Sequence, residues 1–378
     1  MPGKHIDQPI DQPCRRCKEN SAVLVVRSQP LCRECFFKYV QTKTIKRLES
    51  FRVRNASPDH QRTLLLPLSF GVSSVSLLHI LDCQLKTQMR KTGRTGFALH
   101  VVYVEIPGNE SFISSDNLTE VKKAYPDFQY SSLPLHDVFR LSSDTALTRL
   151  CPQLNQNEDA SPHEKLTGLM NSLTSATARA DVLSTLTTRL IVEHAKASGC
   201  ESILWGDTTT KLAEKTLSET AKGRGFSLPW QVSDGESPYG IAFHYPLRDV
   251  LKKELVSYVD LVNDPISALV CEPSTIRQAS MSSKNTTIDD LMSKYFEEVE
   301  MNFPSIVSNV VRTTGKLEAV SAPASAPRCD LCSMPVPDGR FGIHGWGGDQ
   351  QDGVKTIAKE GSSQLCYGCT RSIPQPSV

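Results

Sequence analysis

A chain of 378 residues, 39% apolar and 22% charged, can bury one large core or one core with small satellites, which makes it globular. Its formal net charge of +1 excludes a global attraction to nucleic acid, so any such contact has to come from local basic surface. The opening MPGKHIDQPIDQPC has no apolar signal core, and no stretch approaches the roughly 18 apolar residues of a membrane helix, so a soluble cytoplasmic protein without membrane contact is expected.

In chain order the first feature is a pair of C-x-x-C motifs, Cys14/Cys17 and Cys32/Cys35. Two such pairs supply four thiolates to one tetrahedral ion, and in a chain with 12 cysteines and no secretion signal a metal site is expected rather than a disulfide framework. The intervening KENSAVLVVRSQPL suits two short strands joined by a turn. FFKYVQTKTIKRLESF then has helical spacing, with Ile45 and Leu48 on one side. Seven basic residues run from Lys38 to Arg62 against Glu49 and Asp59, and Lys86, Arg90, Lys91 and Arg94 form a second basic stretch. Charge alone reads both as solvated helix faces. Phe36, Phe37 and Tyr39 could stack on a base, although packing against the module is the commoner fate of such rings.

TLLLPLS reads as a buried strand, weakened by Pro67, which cannot donate to a ladder. The loop SFGVSS follows, then a helix with Leu77, Leu78, Leu81 and Leu85 in register, then the strand GFALHVVYVEI. Strand, loop, helix, strand is the βαβ unit of a parallel sheet, so the fold class is α/β. Residues 105 to 175 mix polar turns and prolines and read as a long surface loop or insertion. ADVLSTLTTRLIVEHAKASG is a long helix ending at Gly199, SILWGD a strand, LAEKTLSETAKGRG a helix, and PLRDVLKKELVSYVDLV another, with Leu247, Leu251, Leu255 and Tyr258 on one side. TTGKLEAVSAPASAPR, 313–328, is a linker. Cys329/Cys332 and Cys366/Cys369 close the chain as a second four-thiolate set, with His344 in the glycine-rich insert as a loop residue. Loop closure favours two local sites over one built from both ends, and four protein thiolates leave no open position, so both sites are expected to hold structural zinc.

The order of these features resembles the cytoplasmic tRNA 2-thiolation protein 2 family, a sister of the catalytic tRNA thiolase subunit. CRRCKENSAVLVVRSQPLCRECFFKYVQTKTIKRLE, CDLCSMPV and LCYGC carry the likeness. It implies a Rossmann-like adenine-nucleotide hydrolase (PP-loop) core over 41–312, flanked by zinc-ribbon modules at 1–40 and 329–378. The implied role is 2-thiolation of the wobble uridine of lysine, glutamine and glutamate tRNAs, as one half of a heterodimer with the catalytic subunit. The sulfur would come from a ubiquitin-related carrier's thiocarboxylate, and Lys43, Lys46, Arg47, Arg52 and Arg54 would contact tRNA.

Active relatives carry Ser-Gly-Gly-x-Asp-Ser in the loop that wraps the pyrophosphate of ATP. Here the six positions read Ser69, Phe70, Gly71, Val72, Ser73 and Ser74, so a bulky ring replaces a glycine and Ser73 replaces a carboxylate. Ser69, Gly71 and Ser74 remain as a degenerate ATP loop. In the second motif Thr210 and Lys211 stand where catalytic relatives have paired acids, between Gly206-Asp207 and Ala213-Glu214, and SLTSATARAD lacks the cysteine pair of thiolating relatives. The unpaired Cys83, Cys151, Cys200 and Cys271 read as small buried hydrophobes. No catalytic residue is expected in this subunit, and its own use of ATP is in doubt. The alternatives are an ATP-dependent sulfurtransferase acting on its own through Cys271 or Cys200, and a zinc-ribbon adaptor without RNA binding.

Overall fold

The computed structural model describes residues 12–56, 61–107, 115–141, 147, 150, 160–262, 265–271, 286–319, 326–336, 341–342 and 364–373. Near the N-terminus β1 (Leu24–Val26) and β2 (Gln29–Leu31) pair antiparallel, and α1 (Arg33–Lys46) follows. β3 (Thr63–Pro67) feeds α2 (Val72–Thr92), which returns to β4 (Ala98–Glu105) in parallel pairing. Leu77, Leu78, Leu81 and Leu85 are all buried on α2, as their spacing requires. Pro67 falls beyond Leu65↔Ile203, the last pair that β3 makes on its other side, so its missing N–H leaves no ladder bond unmade.

Where it is described, the segment expected as a surface loop carries three α-helices and one strand of the sheet. It contains α3 (Ser115–Ala124), β5 (Gln129–Pro134), α4 (Val138–Leu141) and α5 (Pro162–Ser172). β5 is an edge strand paired in parallel with β4, and its serines need no apolar run because one side of an edge meets water. α5 begins with a capping box, Ser161 and Glu164 exchanging bonds around Pro162.

α6 (Ala176–Ala197) ends before Gly199, which takes φ +66° to turn the chain into β6 (Ser202–Leu204). α7 (Thr209–Ala221), α8 (Leu228–Val232), β7 (Gly235–Glu236) and β8 (Ala242–His244) come next. α9 (Lys252–Val262) starts later than its apolar pattern suggests, because Leu247 and Val250 close a turn by a 2.9 Å main-chain bond. α10 (Ile266–Leu269), the hairpin of α11 (Ile288–Asn302) and α12 (Pro304–Thr314), and α13 (Tyr367–Ser372) complete the chain. The stretch expected as a linker thus begins with the last residues of α12.

The six strands lie in the order β5-β4-β3-β6-β8-β7, parallel except for β7. The expected α/β fold with a parallel sheet is present. Its central strands β4, β3 and β6 are buried on both faces, and the pleat sends alternate residues to two separate cores. Leu64, Leu66 and Leu99 point to one, with α2, α9 and the N-terminal cysteine module. Leu65, Val102 and Ile203 point to the other, with α6, α7 and the C-terminal cysteine module.

Candidate functional site

The strand order reverses between β3 and β6, and in an open parallel sheet that switch point, at the carboxyl ends of the strands, is where a ligand crevice forms. The loop Ser69–Ser74 leaves β3 there. Gly206 at the end of β6 stands against it so closely that a Cβ would lie 3.3 Å from Ser74 Cα.

Phe70 occupies the left-handed region at φ 60°, a conformation suited to glycine. Its ring is fully buried and meets Tyr103 edge-on at 5.2 Å. Its carbonyl accepts from the Cys271 N–H at 2.8 Å. The remaining hydroxyls satisfy one another: Ser69 Oγ and Ser74 Oγ are 3.2 Å apart, Ser69 N–H donates to Ser74 Oγ, and Ser74 Oγ donates to the Gly71 carbonyl. Across the crevice Asp207 pairs with Lys215 at 3.4 Å. Thr210 donates to the buried Glu300 at 2.7 Å, and Lys211 pairs with Glu214 at 3.0 Å. The loop carries no carboxylate to hold magnesium, and its small residues are bonded inward. Ser69, Gly71 and Ser74 lie together in a self-satisfied turn that does not fit a metal-bound triphosphate.

The cysteine pairs assemble into two clusters, Cys14, Cys17, Cys32, Cys35 and Cys329, Cys332, Cys366, Cys369, with all sulfurs of each set within 4.8 Å of one another. A single tetrahedral ion with bonds of about 2.3 Å sets sulfur separations of about 3.8 Å. Cys17 and Cys32 Sγ are 3.8 Å apart, and Cys332 and Cys366 Sγ are 3.9 Å apart. Both clusters fit one metal ion. They are also built alike. In each, the residue after the first pair takes a positive φ, Lys18 at 61° and Ser333 at 55°, and donates its N–H to the first cysteine's carbonyl at 2.8 Å. In each, the second pair opens a helix, with Cys32 capping α1 and Cys366 capping α13. Burial opposes the Cys14 thiolate, but main-chain N–H groups of Cys17, Cys32 and Arg16 outweigh it and hold that thiol down to about 6. His344 and Cys151 lie outside the described residues.

The other cysteines are dispersed. Cys200 precedes β6 and Cys271 lies by the loop after β3, so they sit at opposite ends of the sheet. Burial pushes the Cys83, Cys200 and Cys271 thiols up, which makes each a poor nucleophile.

The basic residues after the first module are partly engaged within the chain. Lys43 donates to the Asp249 carbonyl at 2.8 Å, and burial holds its ammonium down to about 8. Arg47 pairs with Asp249 at 2.7 Å, and Arg52 and Arg54 both reach Glu49, while Lys46 is exposed. Phe36 is core, Phe37 packs on Tyr258 at 5.2 Å, and Tyr39 donates to Glu254 at 3.0 Å. These rings fasten the module to α9 rather than forming an open stacking surface. Sequence reasoning missed Arg248, Ser233 and Arg312, which the fold brings to one cavity beyond the ends of β6 and β8. Nothing in their local sequence marks them, since they meet only through the tertiary fold.

A sequence model of the family "Cytoplasmic tRNA 2-thiolation protein 2" matches residues 287–341. Curated proteins of that name are similar along almost the whole chain. The one from Phaeosphaeria nodorum is 65% identical, over 99% of this chain and 98% of its own. That from Sclerotinia sclerotiorum is 48% identical over 90% and 91%, and that from Aspergillus clavatus 38% identical over the full length of both. Among solved structures, the U34-tRNA thiolase NcsA from Methanococcus maripaludis with its [4Fe-4S] cluster aligns over 87% of this chain and 94% of its own. Its TM-score is 0.57 at 15% identity, a likeness of fold. With full-length relatives at this level of identity, the chain belongs to the cytoplasmic tRNA 2-thiolation protein 2 family.

Proposed function

We propose that this chain is the noncatalytic subunit of a cytoplasmic tRNA thiolation heterodimer. It supports a catalytic thiolase subunit that places sulfur on the 2-position of the wobble uridine in lysine, glutamine and glutamate tRNAs. In that reaction ATP adenylates the 2-oxygen with loss of pyrophosphate, and sulfur from a ubiquitin-related carrier's thiocarboxylate displaces AMP. The observation that carries the reading is Phe70, whose buried ring and left-handed backbone replace the open glycine that close phosphate approach requires. Thr210 and Lys211 at the second motif agree with it, because an ammonium repels magnesium and a neutral hydroxyl, here already bonded to Glu300, does not replace the charge of paired carboxylates.

The two four-cysteine clusters are proposed to hold zinc as structural ions. Sulfur separations near 3.8 Å suit one ion, whereas a cubane cluster interposes four irons and spreads its thiolates further apart. The basic face around Lys43, Lys46, Arg47, Arg52 and Arg54 is proposed to meet tRNA phosphates, with the exposed Lys46 contributing most freely.

Reconstitution tests the reading. The purified chain with tRNA, magnesium-ATP and sulfur donor is expected to release no AMP, and adding the catalytic subunit is expected to yield both AMP and 2-thiouridine by mass spectrometry. AMP release by the chain alone would overturn the noncatalytic assignment.

A further inference from the structure

Beyond the carboxyl ends of β6 and β8 a cavity of about 430 Å³ opens between the N-terminal hairpin, α1, the turn at Ser233–Asp234 and the last turn of α12. Arg27, Arg47, Arg248 and Arg312 line it, with Asp234 and Asp249 as the acids on its wall. Both acids pair with one arginine: Asp249 takes Arg47 Nε at 2.7 Å and Asp234 lies 3.6 Å from the same guanidinium, while neither makes an ion pair with Arg248. Arg27 pairs with Glu254 at 3.3 Å. Arg248 and Arg312 make no ion pair among the described residues.

Arg248 is 9% exposed. Its guanidinium donates to two main-chain carbonyls, of Val232 and, at 3.1 Å, of Val311. The end of α12 is shaped around it, since a Cβ on Gly315 would stand 2.0 Å from Nη2. A buried cation that meets only neutral acceptors keeps much of its desolvation cost. Ser233 lines the same cavity, and its buried Oγ has no hydrogen-bond partner among the described residues. A guanidinium has five donors in a fork that matches phosphate oxygens, so spare donors of Arg248, Arg312 and the Ser233 hydroxyl share one requirement: an anion with several acceptor oxygens.

We propose that this cavity binds a phosphate group, with Arg248, Arg312 and Ser233 as its donors. Arg27 and Arg47 are part-exposed on its lining, where they would face the phosphate of a polynucleotide or of a small phosphate ester. The polynucleotide source rests on the tRNA role proposed above; the phosphate site itself does not.

The test uses the full metal-loaded chain. Thermal unfolding is followed while inorganic phosphate replaces chloride at constant ionic strength, and the midpoint of the wild-type chain is expected to rise with phosphate. Arg312→Gln, which breaks no internal ion pair, is expected to weaken the phosphate response about tenfold, and Ser233→Ala to weaken it by a smaller factor. No response in the wild type, or an unchanged response in both variants, would overturn the proposal. Filter binding to tRNA over a salt series then separates the sources. If Arg312→Gln lowers the salt slope by about one, the phosphate belongs to a polynucleotide. If tRNA binding is unchanged while the phosphate response is lost, the ligand is a small phosphate ester. Failure of the wild type to bind tRNA, with the phosphate response intact, removes the tRNA role and leaves the site standing.

Discussion

Phe70 combines two opposed contributions at one residue. A left-handed backbone costs a residue with a Cβ about 1–2 kcal/mol, and the buried ring against Tyr103 returns more, since removing a buried phenylalanine side chain typically costs about 3–5 kcal/mol. Phe70→Ala keeps the backbone cost and loses the ring. Phe70→Gly loses the ring but relieves the backbone. Both variants are expected to be less stable than the wild type, with Phe70→Gly the better of the two by about 1 kcal/mol in urea unfolding. Neither restores ATP turnover, because Ser73, Thr210 and Lys211 still withhold the metal-binding carboxylates. Equal stability of the two variants would show that the ring alone sets the loop. The positive φ of Lys18 and Ser333 has a different origin: there the turn is imposed by the knuckle that brings paired cysteines around an ion, and it recurs in both modules.

Among the elements, the join between α6, α7 and α13 is electrostatic. Arg224 forks onto Asp181 of α6 and Glu219 of α7, Lys222 bonds Asp289 at the start of α11, and Ser372 of α13 donates to Asp181 at 2.6 Å. Burial by itself would raise the Asp181 carboxyl, but Arg224, Lys222 and Ser372 outweigh it and hold it down to about 2, from an ordinary 3.8. A carboxylate depressed on folding stabilises the fold above its unfolded value and loses that contribution as pH falls through the folded one. The contribution is about 2 kcal/mol, present above roughly pH 4 and lost toward pH 2. The difference in unfolding free energy between wild type and Asp181→Asn is therefore expected to be constant near neutrality and to shrink as pH falls below 4. Taking the difference cancels proton competition for the cysteine thiolates, which both proteins share, so a gap that stays constant down to pH 3 would count against the assignment. None of this join is legible locally, for Asp181 and Ser372 are far apart in the chain. What was legible had local causes: the leucine runs of β3 and α2, the glycine end of α6, the C-x-x-C spacings. β5 escaped because an edge strand of polar residues lacks an apolar pattern. α5 escaped although Ser161-Pro162-x-Glu164 is a helix-start signal, because the polar stretch before it read as loop.

At the scale of the molecule the sheet works as a partition. Two modules with the same knuckle-and-helix construction close opposite faces: the N-terminal one completes the core around Leu64, Leu66 and α9, the C-terminal one the core around Leu65, Ile203 and α6. Metal binding is thereby coupled to burial on each face separately, since a four-thiolate site scarcely exists in the unfolded chain and its binding free energy becomes folding free energy. Trp205 and Trp230 both pack on the face that the C-terminal module covers, and tryptophan emission should report on that module selectively. The chain is expected to carry two metal ions by elemental analysis, and Cys17→Ser and Cys369→Ser are each expected to lose one. In the absence of denaturant Cys369→Ser should shift the emission to the red as water reaches the uncovered face, whereas Cys17→Ser should leave it near the wild-type wavelength while still lowering the unfolding midpoint. Equal red shifts in the two variants would mean that the faces open together, and that the sheet transmits the loss of one metal to the far core instead of confining it.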